Sequence, residues 1–155
     1  MKKALALSML FCLMVPVFAG DKGYPVMYDG GTVSSAKAGT DMKLVFDGDE
    51  IHLMKGKEMV AAIPANTVTE ISYGQDVHRR VGTAVAVGAF TLGLGALTAL
   101  SKSKKHFIGL TWADGDAKGG FAMQVGKDDY RGILAGLEGI TGMTAVDSEA
   151  FNVKN

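Results

Sequence analysis

Cysteine is almost absent from this chain. The 155 residues contain one cysteine, Cys12, which lies within an apolar run at the N-terminus. A disulfide framework, a thiolate zinc site and a catalytic cysteine are therefore excluded from the rest of the chain. A domain without disulfides needs an ordinary hydrophobic core, and 48% of the residues are hydrophobic.

An excess of charge of either sign is also lacking. The chain has 16 Lys and Arg against 16 Asp and Glu. If the N-terminus is removed with Lys2 and Lys3, 14 basic residues face 16 acidic ones, a net charge of −2. Such a chain has no global positive field, so we expect no nucleic acid among its partners.

The N-terminus has the three parts of a secretory signal peptide. Lys2 and Lys3 supply positive charge, and Ala4–Val15 is an apolar run too short to span a bilayer comfortably. Val17 and Ala19 place an aliphatic and a small residue at positions −3 and −1 of a cleavage site, which signal peptidase recognises. We predict cleavage after Ala19 and export to the periplasm or cell envelope, the alternative being an uncleaved N-terminal anchor.

Short alternating runs separated by glycine turns predict a mostly β fold. Met42–Phe46 and Glu50–Lys55 flank Asp47–Asp49, and Asp-Gly between two alternating runs indicates a hairpin because glycine accepts positive φ. Gly56 begins the next turn. Further strands are expected at Tyr28–Val33, Met59–Ile63, Val68–Tyr73, Phe107–Trp112 and Gly120–Val125.

Two details of these strands can be predicted. The first strand should follow a polar, poorly ordered lead at Asp21–Met27, with a bulge at the pair Gly30-Gly31. Strict alternation in the later run places Val68, Glu70 and Ser72 on one face of the strand, opposite Thr69, Ile71 and Tyr73.

One amphipathic helix is predicted near the C-terminus. Asp128 and Asp129 are placed to cap its first N–H groups, and Gly142 to end it. Its apolar stripe, at i, i+3, i+4, i+7 and i+10, consists of Tyr130, Ile133, Leu134, Leu137 and Ile140. Three glycines, at 132, 136 and 139, lower its intrinsic stability by up to ~1 kcal/mol each, so this helix needs tertiary packing.

Seven short strands followed by one helix resemble the pleckstrin-homology-like (PH-like, including GRAM-type) barrel. The resemblance is carried by Lys43–Tyr73, His106–Val125 and Asp129–Gly142. It implies an α+β, mostly β fold, in which a C-terminal helix plugs one open end of two curved antiparallel sheets. The chain is also similar to small exported bacterial proteins of unknown function, and no catalytic residue or phosphoinositide site follows from either resemblance. The motifs behind this second similarity are Ile63-Pro64, Tyr73-Gly74, Arg79-Arg80 and Lys104-Lys105-His106-Phe107.

This interpretation divides the chain into three parts. Residues 1–19 are the signal peptide and residues 20–143 are one PH-like domain. An apolar insert at residues 81–100 interrupts that domain, and residues 144–155 form a polar C-terminal tail.

The apolar insert, Val81–Leu100, contains no charged residue. As one helix, its twenty residues would reach ~30 Å, the thickness of a hydrocarbon core. Its eight Val, Leu and Phe residues contribute at most roughly −2.4 to −4.8 kcal/mol to insertion, against four glycines and three threonines, so a single span is marginal. A single span would also separate strands on its two sides, which one sheet cannot allow.

Two other structures are open for the insert. In the leading hypothesis it is a hairpin that dips into the bilayer and turns near Gly93-Leu94-Gly95, with basic residues at both ends facing anionic headgroups. The predicted membrane contacts are Val85, Phe90, Leu92, Leu94, Leu97, Leu100, Arg79, Arg80, Lys102, Lys104 and Lys105. Alternatively, the segment is buried in a soluble protein or between the subunits of a homo-oligomer.

No motif predicts an enzyme, a cofactor or a metal site. His52, His78 and His106 lack the spacing of a zinc site, although the last two flank the insert and could approach each other. Asp47–Glu50 and Asp114–Asp116 are explained as turns, because neither follows the EF-hand pattern. The spacing of the serine, histidine and aspartate residues does not indicate a catalytic triad. Trp112 and Phe121 are expected in the core.

Membrane lipid is therefore the expected partner. The leading hypothesis is a non-enzymatic, envelope-associated binding or structural module anchored by the apolar hairpin. The alternatives are a soluble periplasmic protein that oligomerises through the same segment, and a small enzyme whose site the sequence does not reveal.

Overall fold

The computed structural model describes residues 23–85 and 105–148. The predicted signal peptide and most of the apolar insert lie outside these residues. The described chain forms eight strands and two helices. The strands are β1 (Tyr24–Gly31), β2 (Thr40–Asp47), β3 (Glu50–Lys55), β4 (Glu58–Pro64), β5 (Val68–Tyr73), β6 (His106–Asp114), β7 (Ala117–Val125) and β8 (Val146–Asp147). The helices are α1 (Val77–Val85) and α2 (Tyr130–Thr141), and a 3-10 turn (Ala65–Thr67) joins β4 to β5.

The strands form one sheet in the order β4-β3-β2-β1-β7-β6-β5-β8. Two antiparallel meanders, β1 to β4 and β5 to β7, are joined by antiparallel pairing of β1 with β7. The fold is therefore α+β and mostly β, as predicted. The predicted hairpin is confirmed: Asp47 pairs with Glu50, and Gly48 between them has φ +57°.

The start of the chain differs from the prediction. β1 begins at Tyr24, and Val26 within it is 4% exposed, so part of the expected polar lead belongs to the sheet. The bulge at the glycine pair is confirmed, because the register between β1 and β7 shifts between Tyr28 and Gly30. A side chain at Gly31 would lie 2.3 Å from the carbonyl oxygen of Gly120, so the close approach of these strands requires glycine.

A second bulge corrects the predicted faces of β5. The register between β5 and β6 shifts between Val68 and Glu70. The bulge turns Val68 towards the main core with Ile71 and Tyr73, whereas strict alternation placed it on the opposite face.

The main core lies on one face of the sheet, here called the inner face, where α2 packs. The apolar stripe of α2 is confirmed: Ile133 and Leu137 are fully buried, and the other members pack against the core. Gly142 ends the helix in the left-handed conformation, with φ +70°. Asp129 occupies the N-cap position but makes no side-chain capping hydrogen bond, so that part of the prediction is wrong.

The glycines of α2 provide space for aromatic side chains. A side chain at Gly136 would lie 2.4 Å from the Phe46 ring, and one at Gly132 would lie 3.0 Å from the Tyr24 ring. These two rings contact each other edge to face, with centroids 6.0 Å apart. The glycines that weaken the helix intrinsically therefore let it pack against the rings of Tyr24 and Phe46.

The opposite, outer face of the sheet carries α1. This helix begins at Val77 and includes Val81, which is fully buried. The predicted start of the apolar insert at Val81 therefore falls within a helix that packs on the sheet. At the C-terminus, β8 pairs in parallel with β5, so the first part of the expected polar tail is a strand of the sheet.

Candidate functional site

The two ends of the apolar insert meet the outer face of the sheet, and this junction is the candidate site. Val77, Val81, Phe107 and Ala122 form a small buried cluster there, separate from the main core. Gly109 of β6 is its floor: a side chain on Gly109 would lie 2.6 Å from Val77 Cγ1 and 2.7 Å from Val81 Cγ2. The missing side chain lets the backbone of α1 lie against the sheet.

One flank of α1 is attached through Asp29 and His78. Asp29 Oδ2 lies 2.8 Å from His78 Nε2, and the Asp29 side chain is only 7% exposed. The ring of His78 also packs edge to face on Phe107, with centroids 5.2 Å apart. A carboxylate at the β1 bulge therefore contacts an imidazole on the first turn of α1.

The other flank is attached through Glu70 and Arg80. Arg80 donates from Nε and Nη2 to the two carboxylate oxygens of Glu70, both at 2.9 Å. The hydrogen bond to Glu70 raises the pKa of Arg80, so this guanidinium is charged at any ordinary pH. A planar fork of this kind orients α1 on the sheet as well as holding it.

The start of α1 is held by the C-terminal segment. Ser148 is 1% exposed; its N–H donates to the carbonyl of Tyr73 at 2.7 Å, and its hydroxyl accepts from the N–H of Asp76 at 3.2 Å. Gln75 Nε2 donates to the carbonyl of Lys105 at 2.7 Å. The residues just before α1 and the residues just before β6 are therefore held together at the start of α1.

The predicted membrane contacts differ in their exposure and in their partners. Arg79 is exposed, with 66% of its side chain accessible and its Nη2 3.7 Å from Asp76. Arg80 is 21% exposed and engaged by Glu70, so it does not join Arg79 in one exposed basic collar. Lys105 is half-buried, and Val85 is the last residue of α1 that the structure describes. The remaining predicted contacts, Phe90, Leu92, Leu94, Leu97, Leu100, Lys102 and Lys104, lie outside the described residues.

Two surface cavities lie near this junction and beside β1. One of about 560 Å³ is lined by Glu70, Arg79, Arg80, Thr83 and Ala84. Another of about 390 Å³ lies over β1, β2 and β7, and Met27, Asp41 and Gln124 are among the residues that line it. Both are open concavities on the surface, and four of the five residues that line the first are polar or charged.

The histidines do not converge. His52 contacts Glu50 at 2.8 Å, and His106 stacks on Tyr130 with centroids 4.3 Å apart, whereas His78 contacts Asp29. No group of three or more His, Cys, Asp or Glu residues able to hold a metal occurs within residues 23–85 and 105–148. His78 and His106 thus have different partners.

Aromatic residues fill the inner face, as expected for Trp112 and Phe121. Phe121 is fully buried, and Trp112 packs against it with centroids 5.9 Å apart. Tyr28 is 2% exposed, and burial raises the pKa of its hydroxyl to about 12. This group is a feature of the core rather than of the junction.

Sequence reasoning missed α1 and the residues that hold it. Val77, Val81 and Val85 recur at i, i+4 and i+8, the spacing of one helix face. That signal was divided between a polar run ending at Arg80 and an uncharged segment starting at Val81. Asp29 has no local signal, because its role depends on α1 lying across β1.

No protein-family model matches the chain, and a search of curated proteins found no match. In the described part of the chain, neither helix combines the length and the apolar character needed to cross a membrane.

Proposed function

We propose that this chain is an exported, non-enzymatic module of the cell envelope, anchored to a lipid surface by the apolar segment between α1 and β6. Its sheet is the rigid part, and α1 connects that sheet to the anchor. The module binds or organises other envelope components. Membrane lipid is its proposed first partner.

The observation that carries this proposal is the pairing of β5 with β6. These strands lie on either side of the apolar segment in the sequence, yet Ser72 pairs with Gly109 and Tyr73 with Ile108. A segment that crossed a bilayer once would place β5 and β6 on opposite sides and break this pairing. A segment that enters and returns on one side keeps the sheet intact.

The structure changes the proposed boundaries of the anchor. Val81 is buried against the sheet, so we propose that the lipid-facing part of the segment begins beyond it. Arg79 and Lys105 are the proposed headgroup contacts in the described chain, together with Lys102 and Lys104 beyond it. A Lys or Arg near an anionic surface contributes about 1 kcal/mol each.

For the fold, we propose a PH-like barrel. The element order supports it: two antiparallel meanders of four and three strands are joined through β1 and β7, and α2 follows β7. α2 packs near β5, β6 and the 3-10 turn, at one end of the inner face. The resemblance carries no ligand specificity to this chain.

Flotation on lipid vesicles tests the anchor. We expect the chain that begins at Gly20 to float with vesicles containing anionic lipid and to resist a carbonate wash. A variant with residues 86–104 replaced by a ten-residue Gly-Ser linker should remain folded but stay in the aqueous fraction. Lys105 lies near the start of α1, where its carbonyl accepts from Gln75, so the linker has to run back along residues 77–85, which span ~14 Å as a helix. A ten-residue linker reaches roughly 33 Å and is therefore long enough.

A charge-matched pair tests the headgroup contact. Arg79→Glu should weaken binding to anionic vesicles, whereas Lys57→Glu, in the β3–β4 turn, changes the charge equally and should have little effect. A chain that remains in the aqueous fraction as an oligomer, and becomes monomeric with the linker, would contradict anchoring and favour assembly through the same segment.

A further inference from the structure

A bulge in the edge strand β4 turns Met59 out of the core. The register between β3 and β4 shifts at Leu53 and Met54, so that β4 carries one more residue there than β3. Val60 and Ala61 both pack against the main core, as two bulge residues opposite the buried Leu53. Strict alternation from Ala61 would direct Met59 inward. With the bulge, Met59 lies on the outer face and is 52% exposed, the one exposed large hydrophobic side chain among the described residues.

Met54 and His52 lie on the same outer face as Met59. Ile51 and Leu53 are fully buried in the main core, so the residues that alternate with them on β3 point the other way. Met54 pairs directly with Met59 across the two strands, which places their Cβ atoms about 5 Å apart. His52 is two residues before Met54 on the same strand, about 7 Å away. These three side chains are here called the thioether cluster.

The imidazole of His52 is oriented by a neighbouring carboxylate. His52 Nε2 lies 2.8 Å from Glu50 Oε2. A neutral ring that donates its Nε2–H to this carboxylate keeps the lone pair on Nδ1. Histidines that bind metals usually have this arrangement, because a carboxylate on the second nitrogen fixes the ring and makes the ligating nitrogen more basic. Nδ1 is therefore the nitrogen that His52 offers to a ligand.

The nearest lysine on this face is directed away from the cluster. Lys43 of β2 pairs with Met54, but its stem runs past Gly23, on the β1 side: a side chain on Gly23 would lie 3.2 Å from Lys43 Cδ. α1 packs on β6 and β7, which the order of the sheet separates from β3 and β4. The thioether cluster is therefore reached from solvent through Met59, and it lies apart from the junction at α1.

We propose that Met54, Met59 and His52 bind a soft monovalent cation, Cu(I) or Ag(I). Methionine sulfur is a soft donor, and thioether ligands select Cu(I), whereas Mg²⁺, Ca²⁺ and Mn²⁺ prefer carboxylate and carbonyl oxygens. A methionine side chain has three rotatable bonds, so two thioethers on opposed strands can close on one ion beside the imidazole. The bulge places the second thioether where an ion can reach it. The cluster binds the ion whether or not the apolar segment contacts lipid.

Silver ion is the first probe, because Ag(I) does not change its oxidation state in air. It is added, in chloride-free buffer, to the full chain with Cys12→Ser, which removes the only thiol. The methyl NMR signals of Met54 and Met59 and the ring signals of His52 should shift together and stop shifting at one equivalent. Met143 packs against the main core and its methyl signal should stay in place. Equal shifts at Met143, or shifts that do not saturate, would overturn the proposal.

Leucine variants identify the sulfur atoms as the cause. Met54→Leu and Met59→Leu nearly conserve volume and apolar surface, so the fold should be unaffected, but each removes one donor. Competition with bicinchoninate, a chromophoric Cu(I) chelator, measures binding under reducing conditions. Each variant should bind Cu(I) more than roughly tenfold more weakly, because loss of even an outer partner of a ligand costs about 10–100-fold. Met143→Leu is the matched control and should bind as the parent chain does.

The imidazole and the selectivity are tested in the same assay. His52→Gln should also weaken Cu(I) binding, and thermal unfolding without metal checks that each variant is folded. Zn²⁺ in roughly tenfold excess should not displace Cu(I), because zinc prefers thiolate, imidazole and carboxylate ligands. Unchanged Cu(I) affinity in Met54→Leu, Met59→Leu or His52→Gln, or displacement of Cu(I) by Zn²⁺, would refute the site.

Discussion

Gly109→Ala should loosen α1 without unfolding the sheet. The new methyl group would lie 2.6 Å from Val77 Cγ1, 2.7 Å from Val81 Cγ2 and 2.7 Å from Ser72 Oγ. Carbon atoms in contact normally lie ~3.5–4.0 Å apart, so α1 must move away by about 1 Å. The two valines are β-branched and cannot rotate away easily, so the strain falls on the helix.

The expected cost follows from overpacking, which destabilises a well-packed site by ~1–3 kcal/mol. For a domain of this size, that lowers Tm by roughly 3–10 °C. Hydrogen exchange should become faster in residues 77–85, and less so in β2 and β3, whose neighbours do not change. Gly139→Ala is the matched control, because no atom lies within 4 Å of the new methyl, and it should stabilise α2 by up to ~1 kcal/mol.

A second substitution tests the geometry directly. Val81→Ala removes one of the methyl groups that the new side chain meets. The double variant Gly109→Ala/Val81→Ala should therefore lose less stability than the two single variants together. Additive losses, or a Gly109→Ala protein with normal stability and normal exchange in α1, would refute this packing of α1 on β6.

Three further predictions concern single side chains. Burial raises the pKa of Tyr28 from 10.0 to about 12, so the hydroxyl ionises at lower pH in the unfolded chain than in the folded one. The free energy of unfolding should therefore fall as pH rises from 10 towards 12, by up to ~2.7 kcal/mol. Denaturant melts of Tyr28→Phe at these pH values should lack this part of the loss. Ser148→Ala removes the acceptor at the start of α1 and should cost about 1 kcal/mol in urea unfolding, whereas no loss would mean that water replaces the hydroxyl. A double-mutant cycle with Glu70→Gln and Arg80→Lys should give a coupling of ~0.5–1 kcal/mol, because both side chains are partly exposed, and a coupling near zero would contradict the bidentate contact.

Local signals predicted much of the fold. The turn at Gly48, the glycine stop at Gly142 and the apolar stripe of α2 were all predicted, because each depends on residues a few positions apart. The bulge of β1 was also predicted, since a glycine pair within a strand indicates one. The bulge at Val68 was not, because no special residue marks it.

The candidate junction was predicted only in part. The apolar, uncharged segment was recognised, and so were the basic residues before and after it. The sequence did not distinguish Arg79 from Arg80, whereas in the structure Glu70 on a neighbouring element engages Arg80 and Arg79 is exposed. Charge and hydropathy along the chain describe each residue by itself. They do not show which acidic side chain a given arginine will contact in the folded protein.

The sequence by itself determined the turns, the class of the fold and the amphipathic face of α2, since backbone preference and periodicity act over short distances. Only the tertiary structure decided that β1 joins the two meanders, that β5 and β6 are neighbours on either side of the apolar segment, and that a carboxylate at a bulge faces His78. Those relations depend on which strands pair, and pairing is decided by burial across the whole sheet rather than by any one run of residues.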